Sequence, residues 1–135
     1  MSVPAPLRFA GYAALFGKRD AGHDVIAPGA FTHTLSERTA PLPLLWQHRA
    51  DLRIGWIEKV EQDSRGLRVL ARIDNAGGGA AAALKRGSVT GLSFGYRVRK
   101  ATSDGIGREL KDLMLFEVSL VTHPMQHGAR VHLVE

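Results

Sequence analysis

The sequence predicts a mostly β fold of the α+β class, a small antiparallel β-barrel with short peripheral helices. Three observations predict it. Short segments of alternating apolar and polar residues recur along the 135 residues, clusters of Gly, Asp, Asn and Ser separate them, and only two short stretches suit a helix. The length fits a single domain, 1–135, with enough chain to bury a core.

The first strand is read over residues 7–14, where Leu7, Phe9 and Gly11 alternate with Arg8, Ala10 and Tyr12. A polar loop at 17–24 leads to Val25-Ile26-Ala27, which Pro28-Gly29 closes. Residues 30–37 suit two helical turns that Thr39-Ala40-Pro41 stops. Residues 42–47 read as a strand with Pro43 near its start, where a missing N–H does least harm, and 48–51 as a turn. Residues 54–61 and 67–73 form a hairpin around Gln62-Asp63-Ser64-Arg65-Gly66. The link 74–79 can cap a helix over 80–86, which Gly87 ends in a left-handed conformation behind Lys85 and Arg86. From Val89 a strand places Leu92, Phe94 and Tyr96 on one face and Ser93, Gly95 and Arg97 on the other. A turn at 103–107, a strand from 108 to about 116, the β segment 118–121 and a last strand over 129–134 complete the chain.

Composition narrows the chemistry. The chain contains no cysteine, so disulfides, thiolate zinc sites and cysteine nucleophiles are excluded and a cytosolic setting is expected. The N-terminal residues show no basic and apolar leader, and no segment reaches membrane-spanning length, so no membrane partner is expected. Lys and Arg number 18 against 13 Asp and Glu, a net charge of +5. That balance permits an acidic protein or nucleic acid as partner, but the cations are dispersed and the aromatics sit in apolar contexts, which argues against nucleic acid.

Ser93 lies between Gly91 and Gly95 on its own strand face, which leaves its hydroxyl open and makes it a candidate nucleophile; a plain half-buried strand serine is the alternative. A serine needs a base, most often histidine, which a third polar group orients. Of six histidines, His48 stands out because it ends the apolar strand Leu44-Leu45-Trp46-Gln47, whereas His23 and His33 lie in polar surroundings. Glu117 sits among Leu115, Phe116, Val118 and Leu120, where a carboxylate must be paired: it either bonds an arginine or orients a catalytic group.

The stretches Phe9-Ala10-Gly11-Tyr12-Ala13-Ala14-Leu15-Phe16, Ile26-Ala27-Pro28-Gly29-Ala30-Phe31, Leu45-Trp46-Gln47-His48 with Ile54-Gly55, Gly91-Leu92-Ser93-Phe94-Gly95-Tyr96 and Glu117-Val118-Ser119-Leu120-Val121 occur in that order. In them the chain resembles the prohead maturation proteases of tailed bacteriophages and gene transfer agents, relatives of the herpesvirus capsid maturation protease (assemblin). The resemblance implies a herpesvirus-protease-like fold and a serine endopeptidase with Ser93 as nucleophile, His48 as general base and Glu117 as third member. His123 is the alternative third member, since herpesvirus enzymes use a second histidine there. For the oxyanion, backbone N–H groups at Phe94 and Gly95, or the side chains of Arg97 and Arg99, are the candidates. The implied substrate is the scaffolding segment of the major capsid protein or a separate scaffolding protein, inside assembling proheads. A homodimer or higher oligomer is implied as well, and no cofactor. The segment 77–83 is smaller and less polar than the family pattern, and the chain ends at Glu135 without the tail that many members carry.

Two other readings stay open. His123, His127 and His132, four and five residues apart, could hold a metal, although no HExxH motif or cysteine pair accompanies them. A non-catalytic barrel serving capsid assembly or binding nucleic acid is the second.

Overall fold

The computed structural model describes residues 5–135; part of the N-terminal stretch read as lacking a leader, residues 1–4, lies outside the described residues. Among the described residues eight strands and two helices follow the order β1 (Leu7–Leu15), β2 (Val25–Ile26), α1 (Thr32–Glu37), β3 (Leu42–Trp46), β4 (Arg49–Gln62), β5 (Gly66–Ile73), α2 (Gly79–Lys85), β6 (Gly91–Ser103), β7 (Arg108–Val121) and β8 (Val131–Val134). The strands join in one sheet, in the order β2-β7-β3-β4-β5-β1-β8, with β6 also on β7.

The fold is mostly β with two short helices, as expected, but the sheet does not close, so the expected antiparallel barrel is not confirmed. The continuous ladder is open, and between β6 and β8 only the Gly91–Arg130 bridge connects, through Leu92 N–H to Ala129 O (2.8 Å) and Val131 N–H to Thr90 O (2.9 Å). The pairing is also mixed, because β7 runs parallel to both β2 and β3. The physical reason lies in β8, which has four residues and spends its hydrogen bonds on β1, so the curled sheet meets itself at one bridge instead of along a ladder.

Apolar residues from all the long strands fill the interior, among them Leu44, Leu67, Val69, Leu92, Leu113 and Val118, none measurably exposed. Phe31, fully buried just before α1, packs edge-on against Phe94 (5.3 Å between ring centres) and so anchors the start of β6. The β4–β5 hairpin forms as expected, and β5 alternates buried and half-buried residues along most of its length.

Several boundaries move. The expected strands at 108–116 and 118–121 are one, β7, in which Phe116 is the extra residue between the pairs Gly95–Glu117 and Tyr96–Leu115. The turn expected at 48–51 contracts to Gln47 and His48, because Trp46 and Arg49 already pair. The first helix starts at Thr32 and the last strand at Val131. The link 74–79 supplies no side-chain cap to α2: Gly78 is its N-cap, and the Asn75 side chain accepts the Gly77 N–H (3.1 Å) instead.

Candidate active site

His48 occupies the second position of a two-residue hairpin loop. Gln47 and His48 both have positive φ (52° and 60°), as a type I′ turn requires, yet neither is the Asn or Gly that such turns favour. Left-handed backbone at such residues costs about 1–3 kcal/mol each and persists where neighbours over-determine it. Here they do. Gln47 N–H donates to Leu120 O (2.9 Å), its side-chain amide donates to Thr122 Oγ1 (2.7 Å), and its Oε1 accepts the Thr122 N–H (3.0 Å). The His48 N–H donates to Ser119 Oγ (3.1 Å).

The ring is held as firmly. His48 Nδ1 lies 2.5 Å from Glu117 Oε1, and the other carboxylate oxygen accepts the Ser119 hydroxyl at 2.7 Å. Ser119, fully buried, therefore joins the backbone of His48 to the carboxylate that orients its ring. A carboxylate at Nδ1 selects the tautomer with the proton there and leaves Nε2 with its lone pair free. The same hydrogen bond raises the His48 pKa above the ordinary imidazole value, partial burial working against it.

Gly95 explains how Glu117 fits. The two residues pair across β6 and β7, and a Cβ on Gly95 would stand 2.4 Å from Glu117 Oε1. The glycine expected to keep the Ser93 hydroxyl clear thus makes room for the carboxylate. Gly91 serves close packing instead, since a Cβ there would meet Val121 O at 2.7 Å and Pro124 Cδ at 2.8 Å.

Ser93 pairs with Ser119 across the ladder, two positions from Gly95 and Glu117 and on the same face. It and His48 line one cavity of about 310 Å³, whose walls include Ala13, Ile26, Leu92, Phe94 and Leu110. Among the described residues Ser93 Oγ has no hydrogen-bond partner, and it shares the cavity with His48 without a direct hydrogen bond. Catalytic hydrogen bonds are commonly long before substrate arrives.

The other candidates separate. His123 lines the cavity but does not hydrogen-bond His48, whose Nδ1 Glu117 takes. Leu92 donates its N–H toward residue 129, so strand alternation turns the Phe94 N–H to that same side, where β6 has no continuing neighbour, and the Gly95 N–H toward β7. Arg97 lies over the exposed Phe116 ring (5.6 Å), and Arg99 approaches Glu37 (3.7 Å). His132 packs on Tyr12, lining a different depression from His123. Sequence reasoning missed Ser119 and Gln47 as supports. The spacing of Glu117 and Ser119, which puts both on one strand face, is the signal that could have found the first.

A family model described as caudovirus prohead serine protease matches residues 4–135. The prohead protease of enterobacteria phage HK97 is 33% identical over 130 residues, covering 91% of this chain and 58% of that protein, so the chain spans little more than half of that relative's length. The fold is similar to the KSHV protease solved with a hexapeptide phosphonate inhibitor (TM-score 0.66, 17% identity, 97% of this chain and 65% of that one). It is also similar to the varicella-zoster virus protease (0.63, 20%, 95% and 64%) and to the bacteriophage T4 capsid assembly protease (0.66, 15%, 86% and 81%). At these identities the solved structures speak for the fold alone.

Proposed function

The chain belongs to the caudovirus prohead serine protease family, and from that premise we propose that it is a serine endopeptidase acting inside an assembling prohead. Its substrate is the scaffolding segment of the major capsid protein or a separate scaffolding protein. The observation that carries this reading is the His48 ring, held at Nδ1 by Glu117 while it shares the Ser93 cavity.

The steps follow from that arrangement. His48 Nε2 takes the Ser93 proton as Oγ attacks the scissile carbonyl carbon, and the imidazolium so formed is paired with Glu117. The Phe94 N–H, on the unpaired side of β6, donates to the oxyanion. Nε2 then returns the proton to the leaving amine, the C–N bond breaks, and water hydrolyses the acyl-enzyme by the same relay. Ser119 acts only by positioning, since it touches Glu117 and the His48 backbone.

The test is co-expression with the major capsid protein of the same virus or element, followed by intact mass. The parent chain should shorten the capsid protein at one site, and Ser93→Ala and His48→Ala should leave it whole. Capsid protein left whole by the parent, with shells assembled and the chain enclosed, would overturn the reading.

A further inference from the structure

A second depression lies on the outer face of β1 and β5. Tyr12, Arg65, Arg68, Gly128, Arg130 and His132 line it, and its volume is about 420 Å³. Seven of the thirteen arginines pair with carboxylates, and of the six that form no ion pair among the described residues three, Arg65, Arg68 and Arg130, gather here. Arg130 instead donates to His127 O (2.9 Å) and Thr90 Oγ1 (3.2 Å), which fixes its guanidinium at the rim. Glu61 stands opposite Arg68 across the β4–β5 ladder, but it pairs with Lys59. Asp63, also nearby, accepts the Tyr12 hydroxyl.

Guanidinium forks without a carboxylate partner fit carboxylates or phosphates. The surroundings choose between them. A single strand of nucleic acid needs a free aromatic face on which to stack, yet the Tyr12 ring is taken by Arg65 (5.2 Å) and His132 (5.9 Å). One segment links the depression to the candidate active site: Arg130 bridges Gly91, two residues before Ser93, and Gln126, in the same connecting segment, lines the Ser93 cavity.

We propose that this arginine groove docks an acidic segment of the substrate polypeptide, outside the residues that enter the Ser93 cavity. The assignment rests on the protease reading above. Such a groove raises encounter rate and affinity for a long substrate, and does nothing for a short peptide confined to the scissile bond.

The experiment uses the full chain carrying Ser93→Ala, with a fluorescent oligoglutamate peptide and an oligothymidylate of equal charge as probes. Oligoglutamate should bind more weakly as salt rises, and Arg65→Gln with Arg68→Gln should weaken it about tenfold. Arg86→Gln with Lys100→Gln, which removes the same charge elsewhere, should weaken it less than about twofold. In otherwise wild-type chain the Arg65/Arg68 pair should lower kcat/KM on the capsid protein and leave cleavage of a short peptide spanning the scissile bond unchanged. Equal losses in the two double variants would overturn the groove, and so would groove-dependent binding of oligothymidylate in preference to oligoglutamate. Failure of the protease reading shows itself separately, as capsid protein left whole by the parent chain.

Discussion

The β4–β5 hairpin and the layer formed by β3, β6 and β7 are both hydrogen-bonded ladders over the same core, yet different things interrupt them. In the hairpin the glycines face backbone: a Cβ on Gly55 would stand 1.7 Å from Arg72 O, and one on Gly66 2.0 Å from Ala14 O. In the β6–β7 ladder Gly95 faces a carboxylate, and a buried serine lies two residues from it on that face. The hairpin sends its polar groups to solvent, whereas the other layer turns Ser93, Glu117 and Ser119 inward and binds a strained turn to them. A glycine packed against backbone serves the fold, and one packed against a charged oxygen serves the site.

Substitutions should therefore divide by region. The largest effect is expected from Ser93→Ala, which should lower capsid-protein cleavage by at least about 10⁴-fold with the thermal midpoint unchanged. Glu117→Gln should cost about 10²–10⁴-fold in kcat/KM and change the pH profile. On the proposed mechanism the base His48 must be neutral, and because Glu117 raises its pKa the acid limb of the parent should lie above an ordinary imidazole's and move down in this variant. Linkage gives the opposite trend for stability: the pair contributes fully below the unfolded histidine pKa and is lost as pH rises through the higher folded one.

The two glycines sharpen the contrast. Gly55→Ala overpacks backbone and should destabilise by about 1–3 kcal/mol, with kcat/KM of the folded fraction preserved. Gly95→Ala should displace the Glu117 carboxylate and lower kcat/KM about tenfold or more, with a smaller change in unfolding midpoint. The smallest effect is expected from Ser119→Ala. It leaves the His48 N–H without its partner, at about 1–2 kcal/mol, and loosens the ring, so unfolding and the pH profile should both shift modestly.

Much of the fold was legible because it is local. Alternation over 67–73 and the cluster 62–66 specify the hairpin, and Gly87 (φ 76°) closes α2 as its position after Lys85 and Arg86 implies. Residue type and strand context also pointed to Ser93, His48 and Glu117. What stayed hidden depends on pairing between distant segments. Gln47 is held by Leu120 and Thr122, more than seventy residues on, and no local signal announces a type I′ turn at Gln-His. The purpose of Gly95 needs the register of β6 on β7, and the open sheet needs the length of β8. For Ser119 the spacing from Glu117 puts both on one strand face, but only the ladder shows that its hydroxyl bonds the carboxylate and the His48 N–H.

In the proposed mechanism His48, steadied by Glu117, activates Ser93. The most direct test is to treat the folded chain with a fluorophosphonate and map the adduct by peptide mass. One adduct per chain on Ser93, absent from His48→Ala and slowed in Glu117→Gln, is the predicted result. Labelling at another serine, or at Ser93 with equal rate in His48→Ala, would contradict it.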